Sequence, residues 1–142
     1  MAGTPDDMAA KLQTLATRLL RRARTADARS GLGSAQYSAM AALRAEAPLS
    51  LAALARREAV SHVTMSRVVA SLVEAGLVRR EPDPADRRSR LLSLTPEGRA
   101  TYERISARRT QTVAAVLRLL RPETAAELVA ALETVAARLE RD

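Results

Sequence analysis

Two short stretches concentrate the side chains able to act on a polar partner. The first is Ser61-His62-Val63-Thr64-Met65-Ser66-Arg67. The second is Asp83-Pro84-Ala85-Asp86-Arg87-Arg88-Ser89-Arg90, with three arginines in its last four residues. Hydroxyls, an imidazole and guanidinium groups donate hydrogen bonds, and the guanidiniums carry fixed positive charge. That is a chemistry of anion and base-edge recognition. Bond-making chemistry has little to work with. The chain has no cysteine, and His62 is its only histidine. It has no glycine-rich phosphate loop and no carboxylate cluster. No nucleophile–base pair, metal-ligand set or cofactor site is expected, and the chain does not read as an enzyme.

Side chains of this kind are useful only when a scaffold aims them. Ser61 is placed to cap a helix in which Met65, Val68, Val69 and Leu72 fall within one apolar arc. Helical projection turns Val63, Ser66, Arg67 and Ala70 away from that arc. Ser61, His62 and Thr64 lie around the first turn. Small side chains let such a helix enter a major groove about 12 Å wide, with Val63 available to a thymine methyl and Arg67 to guanine or phosphate. Gly76 is the expected helix stop. Upstream, Ser50 caps a short helix from Leu51 to Arg57. Glu58-Ala59-Val60 has the length of the turn in a helix-turn-helix. Ser34 is expected to cap a further helix to Glu46, broken by Ala47-Pro48.

The second stretch needs a hairpin. Leu77–Arg80 and Arg90–Leu94 read as short strands, and Pro82, Asp83, Pro84 and Asp86 supply turn chemistry between them. An arginine at the tip of a narrow ribbon suits a minor groove, where negative potential is focused. Asp86, two residues before Arg88, is expected to hold the guanidinium in place. Thr95-Pro96-Glu97 then starts the next helix.

Long helices flank this region. Thr4, Pro5 and Asp7 form a helix start, and Leu12, Leu15, Ala16, Leu19, Leu20 and Ala23 recur at helical spacing from about residue 5 to 28. A second long helix is expected from Pro96 to about Leu120. A last one opens at Pro122 with Leu128, Ala131, Leu132, Val135 and Leu139 on one face. The central region can cover only part of these stripes. Leaving them wet costs ~25 cal/mol per Å² of apolar area, and a twofold pairing would cover them. Such a pair sets two recognition helices roughly 34 Å apart and predicts an inverted-repeat site.

Composition agrees. Apolar residues make up 47% of 142, enough for a core, but only two are aromatic, Tyr37 and Tyr102. Net charge is +7 and the pI is near 11.2, which favours a polyanionic partner. No apolar run approaches the ~18 residues of a membrane span, and the N-terminus does not read as a secretory signal. Double-stranded DNA is the expected partner, with no membrane, and a cytoplasmic location is expected.

Three signatures now stand in order: Gly76-Leu77-Val78-Arg79-Arg80, Asp83-Pro84-Ala85-Asp86-Arg87-Arg88, and Leu94-Thr95-Pro96-Glu97-Gly98. Together they resemble the MarR family of bacterial transcription regulators. The resemblance implies a mainly α fold with a small β-hairpin wing. A winged helix-turn-helix would span residues 34–98, flanked by dimerisation helices over 5–30 and 96–142, all in one domain of residues 1–142. It implies a homodimer on a pseudo-palindromic operator. By position, Asp86 matches the wing aspartate, Arg88 the minor-groove arginine, and Thr64 and Arg67 recognition-helix contacts. His62 and Val63 stand where the family varies and would set sequence preference. With Ser61, Ser66 and Arg87 these are the expected DNA-binding residues.

The function expected is a dimeric repressor, released by a small anionic or amphipathic effector bound between the dimer helices and the winged region. A ligand-independent architectural or anti-silencing DNA binder is the alternative, and a winged-helix protein-interaction module a further one. The absence of cysteine excludes the thiol-based sensing of one MarR branch. With Tyr37 and Tyr102 as its only aromatics, the chain has little from which to build an aromatic-lined effector pocket.

Overall fold

A computed structural model describes residues 4–25 and 30–139. The elements are α1 (Pro5–Thr25), α2 (Ser34–Glu46), β1 (Leu49–Ser50), α3 (Leu51–Arg57), α4 (His62–Glu74), β2 (Val78–Pro82), β3 (Arg90–Leu94), α5 (Pro96–Leu117) and α6 (Pro122–Leu139). They divide into two compact units: a winged unit of residues 27–107, and a helical unit of residues 1–26 and 108–142. The boundary falls inside α5.

The winged unit owes its shape to local signals that the sequence carries. Ser50 accepts from the Ala53 N–H at 3.1 Å and starts α3. Ser61 accepts from the Thr64 N–H at 3.1 Å and starts α4. Gly76 ends α4 at φ +72°, a conformation that costs glycine little. The start of α2 differs from expectation. Its cap is Gly33, whose N–H donates to Gln36 Oε1 at 2.7 Å. Ser34 is the first helical residue, because a glutamine three positions after the cap can satisfy a terminal amide that a serine cap otherwise leaves to water.

The hairpin wing is one strand larger than expected. The sheet order is β1-β3-β2, all antiparallel. Leu49 pairs with Leu92 and Ser50 with Leu91. Two residues are too short for any alternation to be read from sequence. Met40, Leu43, Leu54, Met65, Val69, Leu72 and Leu92 close the core at 2% exposure or less. Val68 packs at its margin, half-buried.

One knot ties α5 to the end of α4. The Thr95 N–H donates to the Leu77 carbonyl at 3.0 Å, and its hydroxyl donates to the Gly76 carbonyl at 2.6 Å. The same hydroxyl oxygen accepts from the Gly98 N–H at 2.9 Å, capping α5. A Cβ on Gly98 would stand 1.9 Å from the Leu77 carbonyl oxygen. The Leu-Thr-Pro-Glu-Gly run is therefore a packing device.

In the helical unit, α1 opens with the expected reciprocal cap. The Thr4 N–H donates to Asp7 Oδ2 at 3.1 Å and the Asp7 N–H to Thr4 Oγ1 at 3.2 Å. Ala23 is buried, but Leu12 and Leu15 on α1 are 53% and 58% exposed, and Leu128, Leu132 and Val135 on α6 are exposed as well. The α5 helix ends at Leu117, three residues before the expected end. The Leu119 and Leu120 N–H groups turn back to the Val116 and Leu117 carbonyls, tightening the chain ahead of Pro122. Residues 26–28 of the expected first helix and the side chain of Leu139 lie outside the described residues. Among the described residues, no helix is long and apolar enough to cross a membrane.

Candidate nucleic-acid interface

Helix α4 presents the face that projection predicts. His62, Val63, Thr64 and Arg67 are exposed, Ser66 is half-buried, and Met65, Val69 and Leu72 face inward. Val63 is 61% exposed and is not among the residues packed on the core. The two hydroxyls of the first turn are not equivalent. Ser61 Oγ accepts the Thr64 N–H and also donates to Thr64 Oγ1 at 2.9 Å. Ser61 is thus committed to the cap, while Thr64 keeps its own hydroxyl hydrogen for a partner.

At the wing tip the expected role of Asp86 needs correction. Its Oδ1 accepts from the backbone N–H of Arg88 at 2.9 Å, and Asp83 Oδ1 accepts from the Ala85 N–H at 2.8 Å. Both aspartates fold the turn through the backbone. An aspartate two residues before an arginine serves either arrangement, and here the amide wins because it lies within the same tight turn. The Arg88 side chain has no ion-pair partner among the described residues, and neither has Arg87.

The structure brings His62 and Arg88 together. Both line a cleft of about 350 Å³ between α4, the start of α3 and the inner face of the wing. Ser50, Arg80 and Arg90 line the same cleft over a floor that includes Val69 and Leu92. Sequence reading missed Ser50, Arg80 and Arg90 as site residues. The signal was the period-two alternation of the strands, but using it required the register Arg80↔Leu92 and Pro82↔Arg90. Val63, Thr64, Ser66, Arg67 and Arg87 stand outside the cleft.

The two tyrosines meet each other. The rings of Tyr37 on α2 and Tyr102 on α5 stack with centroids 5.2 Å apart and planes at 24°. Burial, reinforced by the bond to Tyr37, pushes the Tyr102 hydroxyl's pKa up. Among the described residues no cluster of three or more His, Cys, Asp or Glu could hold a metal ion.

Residues 30–89 match the sequence model of the MarR family. The chain also superposes on the crystal structure of RV1404 from Mycobacterium tuberculosis with a TM-score of 0.85 and 26% identity, covering 97% of this chain and 95% of that one. Over residues 30–89 the chain is similar to the MarR family. Among curated relatives it is 38% identical over 91 residues to an HTH-type transcriptional regulator of Mycobacterium leprae, a match covering 64% of each chain. The chain therefore spans just under two thirds of that relative's length. It is also similar to BpsR of Bordetella bronchiseptica, whose DNA binding is regulated by 6-hydroxynicotinic acid. That likeness has a TM-score of 0.74 and 26% identity, covering 96% of this chain and 97% of that one. MarR relatives are regulators of transcription, not enzymes, in line with the side-chain inventory.

Proposed function

We propose that this MarR-like chain binds double-stranded DNA as a homodimeric transcription repressor on a pseudo-palindromic operator, and that a small-molecule effector releases it. The observation that carries the reading is the division of α4. One side is sealed into the core, and the other offers His62, Val63, Thr64 and Arg67 to solvent beside a wing whose Arg87 and Arg88 have no ion-pair partner among the described residues. A helix with a short-side-chain N-terminal face fits a major groove, and an arginine-tipped ribbon fits the adjacent minor groove. The exposed leucines of α1 and α6 support the pairing of two copies. Effector release has the weaker support, from the regulation of BpsR by a small molecule.

The test is selection of duplexes from a random pool by the full chain, followed by binding across a salt series. An inverted-repeat consensus and a steep negative salt slope are expected, since arginines displace condensed counterions. Arg88→Ala should weaken binding to the selected duplex by about tenfold or more without changing the consensus. His62→Ala should shift the consensus. Enrichment of no sequence, with no salt-dependent binding to any duplex, removes the reading.

A further inference from the structure

The wing separates its charges by face. Side chains alternate along a strand, so Val78, Arg80 and Pro82 of β2 share one face with their partners Leu94, Leu92 and Arg90 of β3. Near the core that face is apolar, and Val78, Leu92 and Leu94 are buried. Toward the tip it continues as Arg80 and Arg90. The opposite face carries Arg79 and Glu81, which pair with each other at 3.2 Å. The acidic residue of β2 thus neutralises the outer arginine and leaves the inner ones alone. Arg80, Arg88 and Arg90 have no ion-pair partner among the described residues.

These three arginines converge on the cleft with His62 and Ser50, and no carboxylate lines it. Three guanidinium groups around one space repel each other unless an anion lies among them. The cleft is open to solvent, and its floor of Val69 and Leu92 is apolar. A phosphodiester presents the matching group, charged oxygens for the arginine walls. Because His62 belongs both to this cleft and to the first turn of α4, an anion held here lies at the flank of the recognition helix.

We propose that the cleft between α4 and the inner face of the wing seats one backbone phosphate of the bound duplex, with Arg80 and Arg90 as its principal ligands. The inference rests on the DNA-binding reading above and adds a contact that reads no base. It makes the wing a clamp: Arg80 and Arg90 grip the strand between wing and helix, and Arg88, lining the same cleft, closes on it from the side of the minor groove. Phosphate contacts of this kind fix register without carrying sequence information.

The experiment uses the full chain and a duplex that the wild-type protein selects. Arg80→Gln with Arg90→Gln should weaken binding to every duplex by at least about tenfold. It should lower the magnitude of the salt slope by about 1 for each protomer engaged, with the selected consensus unchanged. Arg79→Gln, on the opposite face, should leave affinity and slope as they are. Arg80→Lys with Arg90→Lys should keep the slope while losing part of the affinity, because charge stays and the two-pronged geometry goes. A scan of single neutral methylphosphonate linkages locates the contact. One linkage per half-site should weaken the wild type and leave the glutamine double variant unaffected. If wild type binds DNA but the double variant stays within twofold, or no linkage shows this pattern, the clamp is overturned and the DNA-binding reading stands. If wild type binds no duplex, both fall. Far-UV circular dichroism of the variants at matched temperature separates a lost ligand from a lost fold.

Discussion

The two units of the chain treat their apolar side chains in opposite ways. The winged unit closes Met40, Leu54 and Leu72 at 0% exposure. The helical unit leaves Leu12, Leu15, Leu20, Leu132 and Val135 about half open to water. Both are built from the same Ala, Leu and Val vocabulary, so composition does not separate them. The difference lies in connectivity. Within the winged unit, neighbouring helices fold back on one another and β1 reaches across to β3, so that together they complete a core. The helical unit draws on the two ends of the chain, and α1 and α6 keep apolar side chains about half exposed. A unit that satisfies itself and a unit that does not fit the proposed reader and pairing surface, and the two should respond differently to mutation.

The largest effect is expected where cover is missing. Leu15→Glu together with Leu132→Glu places charges on both exposed stripes. If a second copy covers these faces, four buried leucines per dimer are lost, each worth about 1.5–3 kcal/mol. The dimer should then weaken by far more than a hundredfold. Sedimentation velocity should find a monomer at concentrations where the wild type is a dimer, with helical content retained. A wild type that is monomeric at all concentrations, or a double variant that still pairs, would break the contrast between the units and the homodimer reading with it.

The next effect tests how tightly the winged unit is closed. Gly98 lies in α5 with its missing Cβ directed at the Leu77 carbonyl, 1.9 Å away. Backbone cannot swing aside as a side-chain end can, so Gly98→Ala should cost about 3 kcal/mol. That lowers the unit's thermal midpoint by more than about 10 °C. The loss should not depend on protein concentration, unlike that of the leucine variant. A near-normal midpoint would mean that the Thr95 knot is looser than its three hydrogen bonds suggest.

This knot also shows what can be read from sequence. Thr95-Pro96-Glu97 announces a helix start by residue type alone, and so do Thr4-Pro5 and the serines at 50 and 61. Each cap depends on neighbours within three residues. Gly76 and the aspartate–proline turn are legible for the same reason. The exposed set on α4 follows from a helical period over thirteen residues. What stayed hidden depends on pairing between distant segments. The two-residue β1 exists only because β3 accepts it. The grouping of Arg80 with Arg90 and His62 needs a register that no local pattern states. The partner of Asp86 was misread because one spacing serves two bonds.

Backbone conformation offers the smallest and cleanest contrast, confined to the winged unit. Ala59, in the turn between α3 and α4, sits at φ +52°, where a Cβ is crowded by about 1–2 kcal/mol. Gly76 sits at φ +72°, with nothing within 4 Å of where a Cβ would stand. Ala59→Gly relieves the crowding but frees the unfolded chain, so the net gain should be a few tenths to about 1 kcal/mol. Gly76→Ala reverses both terms and should lose about 1 kcal/mol with no packing contribution. Urea midpoints measured side by side should therefore move in opposite directions at unchanged slope. Set beside Gly98→Ala, the pair divides the unit's glycine demands into two kinds. Gly98 is required by a neighbour and Gly76 by its own torsion angle. A loss at Gly76 as large as that at Gly98 would mean the end of α4 is packed more closely than its open surroundings indicate, and the distinction would fail.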